Sequence, residues 1–152
     1  MSDEEQKQIQ VSIGLDKIYV KDISLEIPGA PQVFLQRENP KVDMQLNSQS
    51  SQVSEGVFEV VVMGTVTAKV GDKVLFLIEV KQAGIFNVRN IPAENMEPIL
   101  AVMCPNILYP YLREAISDIS SRAGFAPVLL SVVSFESIYQ QQKQQNQAAT
   151  TH

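Results

Sequence analysis

The chain has 152 residues, 45% of them apolar, and 12 basic against 17 acidic residues give a net charge of −5. That length supports one core of moderate size, and no apolar run approaches the ~20 residues a membrane-spanning helix needs. An acidic balance without a basic cluster argues against nucleic acid as a partner, and a single cysteine, Cys104, excludes an internal disulfide.

Residues 1–10 are polar and acidic and are expected to be a flexible N-terminus. They have neither the basic stretch nor the apolar stretch of a secretory signal, which predicts a cytoplasmic protein without membrane insertion. Val11 to Glu26 then alternates as a long strand. Its odd positions, Val11, Ile13, Leu15, Tyr19, Ile23 and Leu25, form the expected core face. Its even positions, Ser12, Asp16, Asp22, Ser24 and Glu26, form a wet and acidic face around Ile18 and Val20. Ile27 to Pro40 holds three prolines and a glycine, which rules out a regular ladder strand or a helix interior. Ile27, Val33, Phe34 and Leu35 make it too apolar for a plain solvent loop, so it is a candidate binding segment.

Val42 to Ser48 alternates Val42, Met44 and Leu46 against Asp43, Gln45 and Asn47, a second strand ending in a polar turn region over residues 47–55. Val57 to Val70 and Val74 to Phe86 form a hairpin about Gly71-Asp72-Lys73. A three-residue loop sets Val70 opposite Val74, which puts Phe58, Val60, Val62 and Val66 on one face with Phe76, Ile78, Val80 and Phe86. The other face then carries Glu59, Thr65, Thr67, Lys69, Leu75, Leu77, Glu79 and Lys81.

Pro92-Ala93-Glu94 starts a short helix that Pro105 is expected to end. A long helix follows, with Leu108, Leu112, Ala115 and Ile119 at helical spacing and Ile107, Tyr111 and Ile116 beside them. Arg122 and Gly124 punctuate its end, while Pro110 must either begin its straight part or kink it. Phe125 to Val133 reads as extended chain, and Ser134 can cap a last helix whose Phe135, Ile138, Tyr139 and Gln142 share a face. Six of the eight residues from Gln140 to Gln147 are glutamine, so residues 143–152 are expected to be a disordered tail. The fold expected is α+β, a four-stranded antiparallel sheet with one long helix on one face, plus a short helix and a C-terminal helix, in a single domain over residues 11–142.

Catalytic chemistry finds little to work with. The sole histidine is His152, at the end of the glutamine-rich tail, where no nucleophile–base–acid geometry can hold it. Cys104 sits in apolar surroundings and reads as a packed small residue rather than a nucleophile. Phosphate-binding glycine loops and Cys/His clusters are absent from the sequence, so neither cofactor nor metal is expected. Asp22, Glu26 and Glu79 form either a solvated charged face or an acid/base pair, and an open strand face offers no cleft to desolvate them. What needs explaining is surplus apolar surface, since the long helix is apolar around much of its girth. Self-association would bury it, as would binding of extended apolar polypeptide.

The run Cys104-Pro105-Asn106-Ile107-Leu108, followed by Pro110-Tyr111 and Arg113, resembles the signature of the SecB protein-export chaperones. Ile18-Tyr19, Lys21-Asp22-Ile23-Ser24, Ala30-Pro31-Gln32-Val33-Phe34, Glu59-Val60-Val61, Thr65-Val66-Thr67-Ala68 and Gly84-Ile85-Phe86 follow in that family's order. The resemblance implies an ATP-independent holdase, not an enzyme, that binds unfolded precursors and delivers them to the SecA ATPase. It implies a homotetramer, a dimer of dimers with the long helices sandwiched between. A client groove would be lined by Ile27, Val33, Phe34, Phe135 and Tyr139, each of which could equally be core. SecA contact would fall to Asp22, Glu26, Leu77 and Glu79, and support of tetramer packing to Ile78, Val80 and Gln82. Two other readings remain beside it, a SecB-like chaperone of a toxin–antitoxin pair and a non-chaperone oligomeric scaffold.

Overall fold

The computed structural model describes residues 12–150, and the expectations for Val11, for the flexible N-terminus and for His152 fall outside them. Four strands, β1 (Ser12–Glu26), β2 (Lys41–Ser54), β3 (Val57–Val70) and β4 (Lys73–Arg89), form one antiparallel sheet in the order β1-β4-β3-β2. The two most apolar strands are therefore central. Phe58 pairs with Phe86, Val62 with Gln82, Val66 with Ile78 and Ala68 with Phe76, the side-chain face the hairpin pattern predicts.

The hairpin tip differs from the expectation. Val70 pairs with Lys73 across Gly71-Asp72 rather than with Val74, and an irregularity beside Ala68 restores the register through Leu75. That extra residue turns Leu75 inward, where it is fully buried, instead of leaving it on the wet face. β2 also runs on to Ser54, six residues beyond the predicted end at Ser48. Its serines and glutamines pair with the β-branched run of β3, and an edge strand tolerates polar side chains on both faces.

β1 departs from strict alternation twice. Register shifts fall between Leu15 and Lys17 and between Val20 and Asp22, so Asp16 and Lys21 are extra residues, each a β-bulge. Ile18 pairs with Gly84 and Val20 with Gln82 on the core side of the sheet, while Tyr19 pairs with Ala83 on the opposite side. The expected placement of Tyr19 in the core is thereby corrected, as is the placement of Ile18 and Val20 on the wet face.

On the core side lies one long helical run. α1 (Ala93–Pro98) passes into a π-helical segment, Ile99–Met103, and then into α2 (Cys104–Arg122). Pro105 does not end the short helix as predicted. The Cys104 amide reaches back five residues to the Ile99 carbonyl, and the residue this inserts accommodates the N–H that Pro105 lacks. Pro110 is likewise inside α2, and Asn106, four residues before it, whose carbonyl its missing N–H would have met, is exposed. Leu108, Leu112 and Ile116 are fully buried against the sheet, and two strand glycines let them approach. A Cβ on Gly64 would lie 3.0 Å from Ile116 Cδ1, and one on Gly84 would lie 2.9 Å from Leu108 Cδ2.

The end of α2 is closed by two bonds, Phe125 N–H to the Ser120 carbonyl and Gly124 N–H to the Ser121 carbonyl, with Gly124 at φ +92°. This is the Schellman pattern that glycine permits. After an irregular connection, α3 (Phe135–Thr150) begins with the Ser137 amide donating to Ser134 Oγ at 3.2 Å. The glutamine-rich segment expected to be disordered is helical through Thr150 and exposed over residues 140–147. Glutamine, lysine and alanine are good helix formers even where nothing packs on them.

Candidate functional site

Two surfaces on opposite sides of the sheet attract attention. On the core side, a groove of about 500 Å³ opens between the end of the β1–β2 crossover and the α2–α3 connection. Val42, Met44, Leu75 and Phe76 form its floor, and Phe125 to Leu130 with Val133 form its wall. The wall is anchored at several points. Ser120 Oγ accepts from the Val128 amide at 2.9 Å, the Tyr109 hydroxyl donates to the Ser131 carbonyl, and Leu130 is buried. Phe125 stacks on Phe76 at 4.6 Å and on Phe34 at 5.3 Å, tying the wall to both the floor and the crossover. Of its lining residues, Leu129 and Val42 are left 74% and 45% exposed. Two exposed aliphatics on facing sides suit an apolar chain laid along the groove.

The residues expected to line a groove are spread more widely. Val33 is buried beneath the crossover and Ile27 is half-buried, while Phe34 is 48% exposed. A cis Ala30–Pro31 peptide and a 3-10 turn, Gln32–Leu35, set their directions. Phe135 is buried and packs edge-on against Tyr109 at 5.7 Å. Together with Tyr139 it borders a smaller, largely polar recess between β2 and α3, and Tyr139 also borders a shallow apolar one on the other side of α3. None of the five lines the larger groove. Its real lining was partly visible as the apolar run Phe125 to Val133 and as the inward side of β2, but nothing in the sequence said that the two meet.

On the other side of the sheet the ladder assembles the predicted acid cluster. Glu26 pairs with Leu77, Ser24 with Glu79 and Asp22 with Lys81, so Asp22, Glu26, Leu77 and Glu79 share one face on adjacent strands. α2 packs on the opposite face, over Gly64 and Gly84. Next to the cluster, the Glu59 carboxylate accepts from Lys21 Nζ at 2.7 Å and from the Tyr19 hydroxyl. The Lys21 bond, then the Tyr19 bond, hold the Glu59 carboxyl below its ordinary range against the opposing effect of burial. Burial first, and then Glu59, push the Tyr19 phenol up to about 12. The grouping of Tyr19 with Glu59 was missed because strict alternation assigned them to opposite faces.

Ile78, Val80 and Gln82 are buried under α2 inside the protomer, and Gln82 Nε2 donates to the Tyr19 carbonyl at 3.1 Å. Cys104 is also fully buried, and burial pushes its thiol up to about 12, so it is a packed residue with negligible thiolate at neutral pH. An apolar strip remains uncovered, made of Leu15, Val20 and Ile23 on the core side of β1 and Ile107 and Tyr111 on α2.

The model of the family described as preprotein translocase subunit SecB matches residues 4–146. The chain belongs to the SecB family. Among its relatives, the SecB of Methylobacillus flagellatus, named protein-export protein SecB, is 57% identical, with 94% of this chain and 93% of the relative aligned. The SecB of Chromobacterium violaceum, of the same name, is 55% identical, with 95% and 97% aligned. Among solved structures, the Mycobacterium tuberculosis Rv1957 SecB-like chaperone, in complex with a peptide from the HigA1 antitoxin, superposes with a TM-score of 0.67. It is 16% identical, with 80% of this chain and 91% of that chain covered. At that identity the likeness is one of fold, and the SecB sheet with its helices is the α+β architecture the sequence predicts. Among the described residues, no SecB helix is long and apolar enough to cross a membrane.

Proposed function

We propose that this SecB-family chaperone of protein export acts as an ATP-independent holdase in the cytoplasm, keeping precursors unfolded and passing them to the SecA ATPase. The observation that supports this most is the open apolar groove between β2 and the α2–α3 connection. An unfolded client exposes apolar side chains at many points, and a long groove with exposed aliphatics gains affinity from their sum without reading a sequence. Binding and release of that kind need no bond chemistry, which fits a chain without a phosphate loop.

SecA contact belongs to the face carrying Asp22, Glu26, Leu77 and Glu79. Three acids around one leucine would steer and seat a basic surface with an apolar centre. The uncovered strip of β1 and α2 is where a second protomer would bury apolar surface, consistent with a homotetramer. Ile78, Val80 and Gln82 would then support assembly indirectly, by fixing the seat of α2. Ile27 and Phe34 remain proposed client contacts on the crossover, Tyr139 remains one at the separate recesses flanking α3, and Val33 and Phe135 would act as buried supports for them.

The test is suppression of aggregation of a chemically unfolded precursor without nucleotide. Suppression is expected at stoichiometric protein and should weaken several-fold in Leu129→Ser with Val42→Ser, two exposed positions of the groove lining whose change leaves the fold intact. Full activity in the double variant, or none in the parent, would remove the groove from the reading.

A further inference from the structure

The second bulge of β1 determines where the acid cluster points. Through Val20, which pairs with Gln82, β1 has Tyr19 on the open face and Val20 on the core side. Continued without a shift, Lys21 would pair with Lys81, and Asp22 and Glu26 would face the core. Instead Lys21 is the extra residue and Asp22 pairs with Lys81. The bulge therefore turns Asp22 and Glu26 outward and Ile23 and Leu25 inward.

That bulge is held from both sides of the sheet. On the core side, buried Gln82 donates to the Tyr19 carbonyl at 3.1 Å. On the open side, Lys21 and Tyr19 both reach Glu59 on β3, across the intervening strand β4. The β4 side chain between Tyr19 and Val61 on that face is the small Ala83, which leaves room for this diagonal reach toward Glu59, itself opposite Ile85. Glu59 has a side chain only 16% exposed, which gives an incoming protein little of it to touch. A register with an extra residue is stable only where something specifies it, and one carboxylate bonded to residues on both sides of Val20 does so.

We infer that Glu59 is a positioning residue for the acid face, pinning the β1 bulge through Lys21 and Tyr19 so that Asp22 and Glu26 are presented to the ATPase. This rests on the proposed SecA contact. It also assigns Lys21 a role opposite to the one its charge suggests, since a cation beside an acidic docking face should repel a basic partner.

The experiment measures binding of purified SecA to the full-length protein and to Glu59→Gln, Lys21→Gln, Tyr19→Phe and Asp22→Asn. Binding of an unfolded client and amide exchange at Val20 to Ile23 are followed in parallel. Pinning predicts that Glu59→Gln and Lys21→Gln each weaken SecA binding by about 3- to 10-fold, leave client binding unchanged and speed exchange at Asp22 and Ile23. Tyr19→Phe, the mildest change, should shift both readouts in the same direction. If Lys21→Gln tightens SecA binding while Asp22→Asn weakens it, charge alone governs the face and the positioning role is overturned. If Asp22→Asn has no effect, the SecA contact itself is wrong. Unchanged exchange in Glu59→Gln overturns the pinning whichever way SecA binding falls.

Discussion

Leu112 and Gly64 offer a quantitative test of how α2 is seated. Leu112 is fully buried, and a Cβ built on Gly64 would meet its Cδ2 at 3.2 Å and its Cδ1 at 3.5 Å, with Ile116 Cδ1 at 3.0 Å. Leu112→Ala should cost about 3–5 kcal/mol, the upper part of the range for buried leucines, because the rigid sheet beneath cannot collapse into the space. Gly64→Ala gains about 0.5–1 kcal/mol from a less flexible unfolded chain and loses about 1–3 kcal/mol to crowding, for a net cost of about 0–2.5 kcal/mol. In the double variant the added methyl enters the space Leu112 vacated, so two of its three close contacts disappear. The pair should cost less than the sum of the single changes by about 0.5–1 kcal/mol. Urea unfolding at one fixed protein concentration reads all three, the concentration being held because assembly contributes to stability. Strict additivity, or a Leu112→Ala cost below about 1 kcal/mol, would refute the close seating of α2 on the glycine of β3.

Two further outcomes follow from particular bonds. Glu59 has a depressed folded-state pKa, caused first by Lys21 and then by Tyr19. The stability it contributes is therefore present above its ordinary value of 4.5 and is lost as pH falls through the lower folded value. Glu59→Gln should be less stable than the parent at neutral pH and lose less on acidification, checked by urea midpoints from pH 7 downward; parallel profiles would be inconsistent with this. Ser134→Ala removes the acceptor for the Ser137 amide and should cost about 0.5–2 kcal/mol. Amide exchange should rise first at residues 137 and 138, and unchanged protection there would show that packing of Phe135 alone holds the start of α3.

How far the sequence could be read depended on whether one period governed each segment. Away from the hairpin tip at Leu75, β3 and β4 keep a period of two, as does the first half of β2, so their faces, and with them Leu77 and Glu79, were legible from spacing alone. β1 keeps the period only in pieces. Its core-side residues are Ile13 and Leu15, then Ile18 and Val20, then Ile23 and Leu25, with a step of three at each bulge. Those steps are visible in the sequence, yet a single alternation averaged over them and placed Tyr19 on the wrong side. Asp22 and Glu26 were assigned correctly because two extra residues restore the original phase. The groove was harder to foresee. Its walls are separated by some eighty residues, and although Gly124 marks where α2 ends, the contact of Phe125 with Phe76 and Phe34 depends on where the sheet carries that end, which no local pattern encodes. The same holds for Leu75, whose inward turn follows from one irregular residue at the hairpin tip.

Phe76 and Leu77 are neighbours in β4, one in the floor of the groove and the other in the acid face. Successive side chains of a strand point to opposite sides, so a polypeptide in the groove above buried Phe76 and a protein docked on Leu77 would lie on opposite sides of the sheet. They would not compete for space. Transfer would then begin with all three proteins together, with occupancy on one side adding to occupancy on the other rather than displacing it. Any influence of one guest on the other would have to travel as a shift in β4 itself, the strand that β1 and β3 clamp along nearly its whole length.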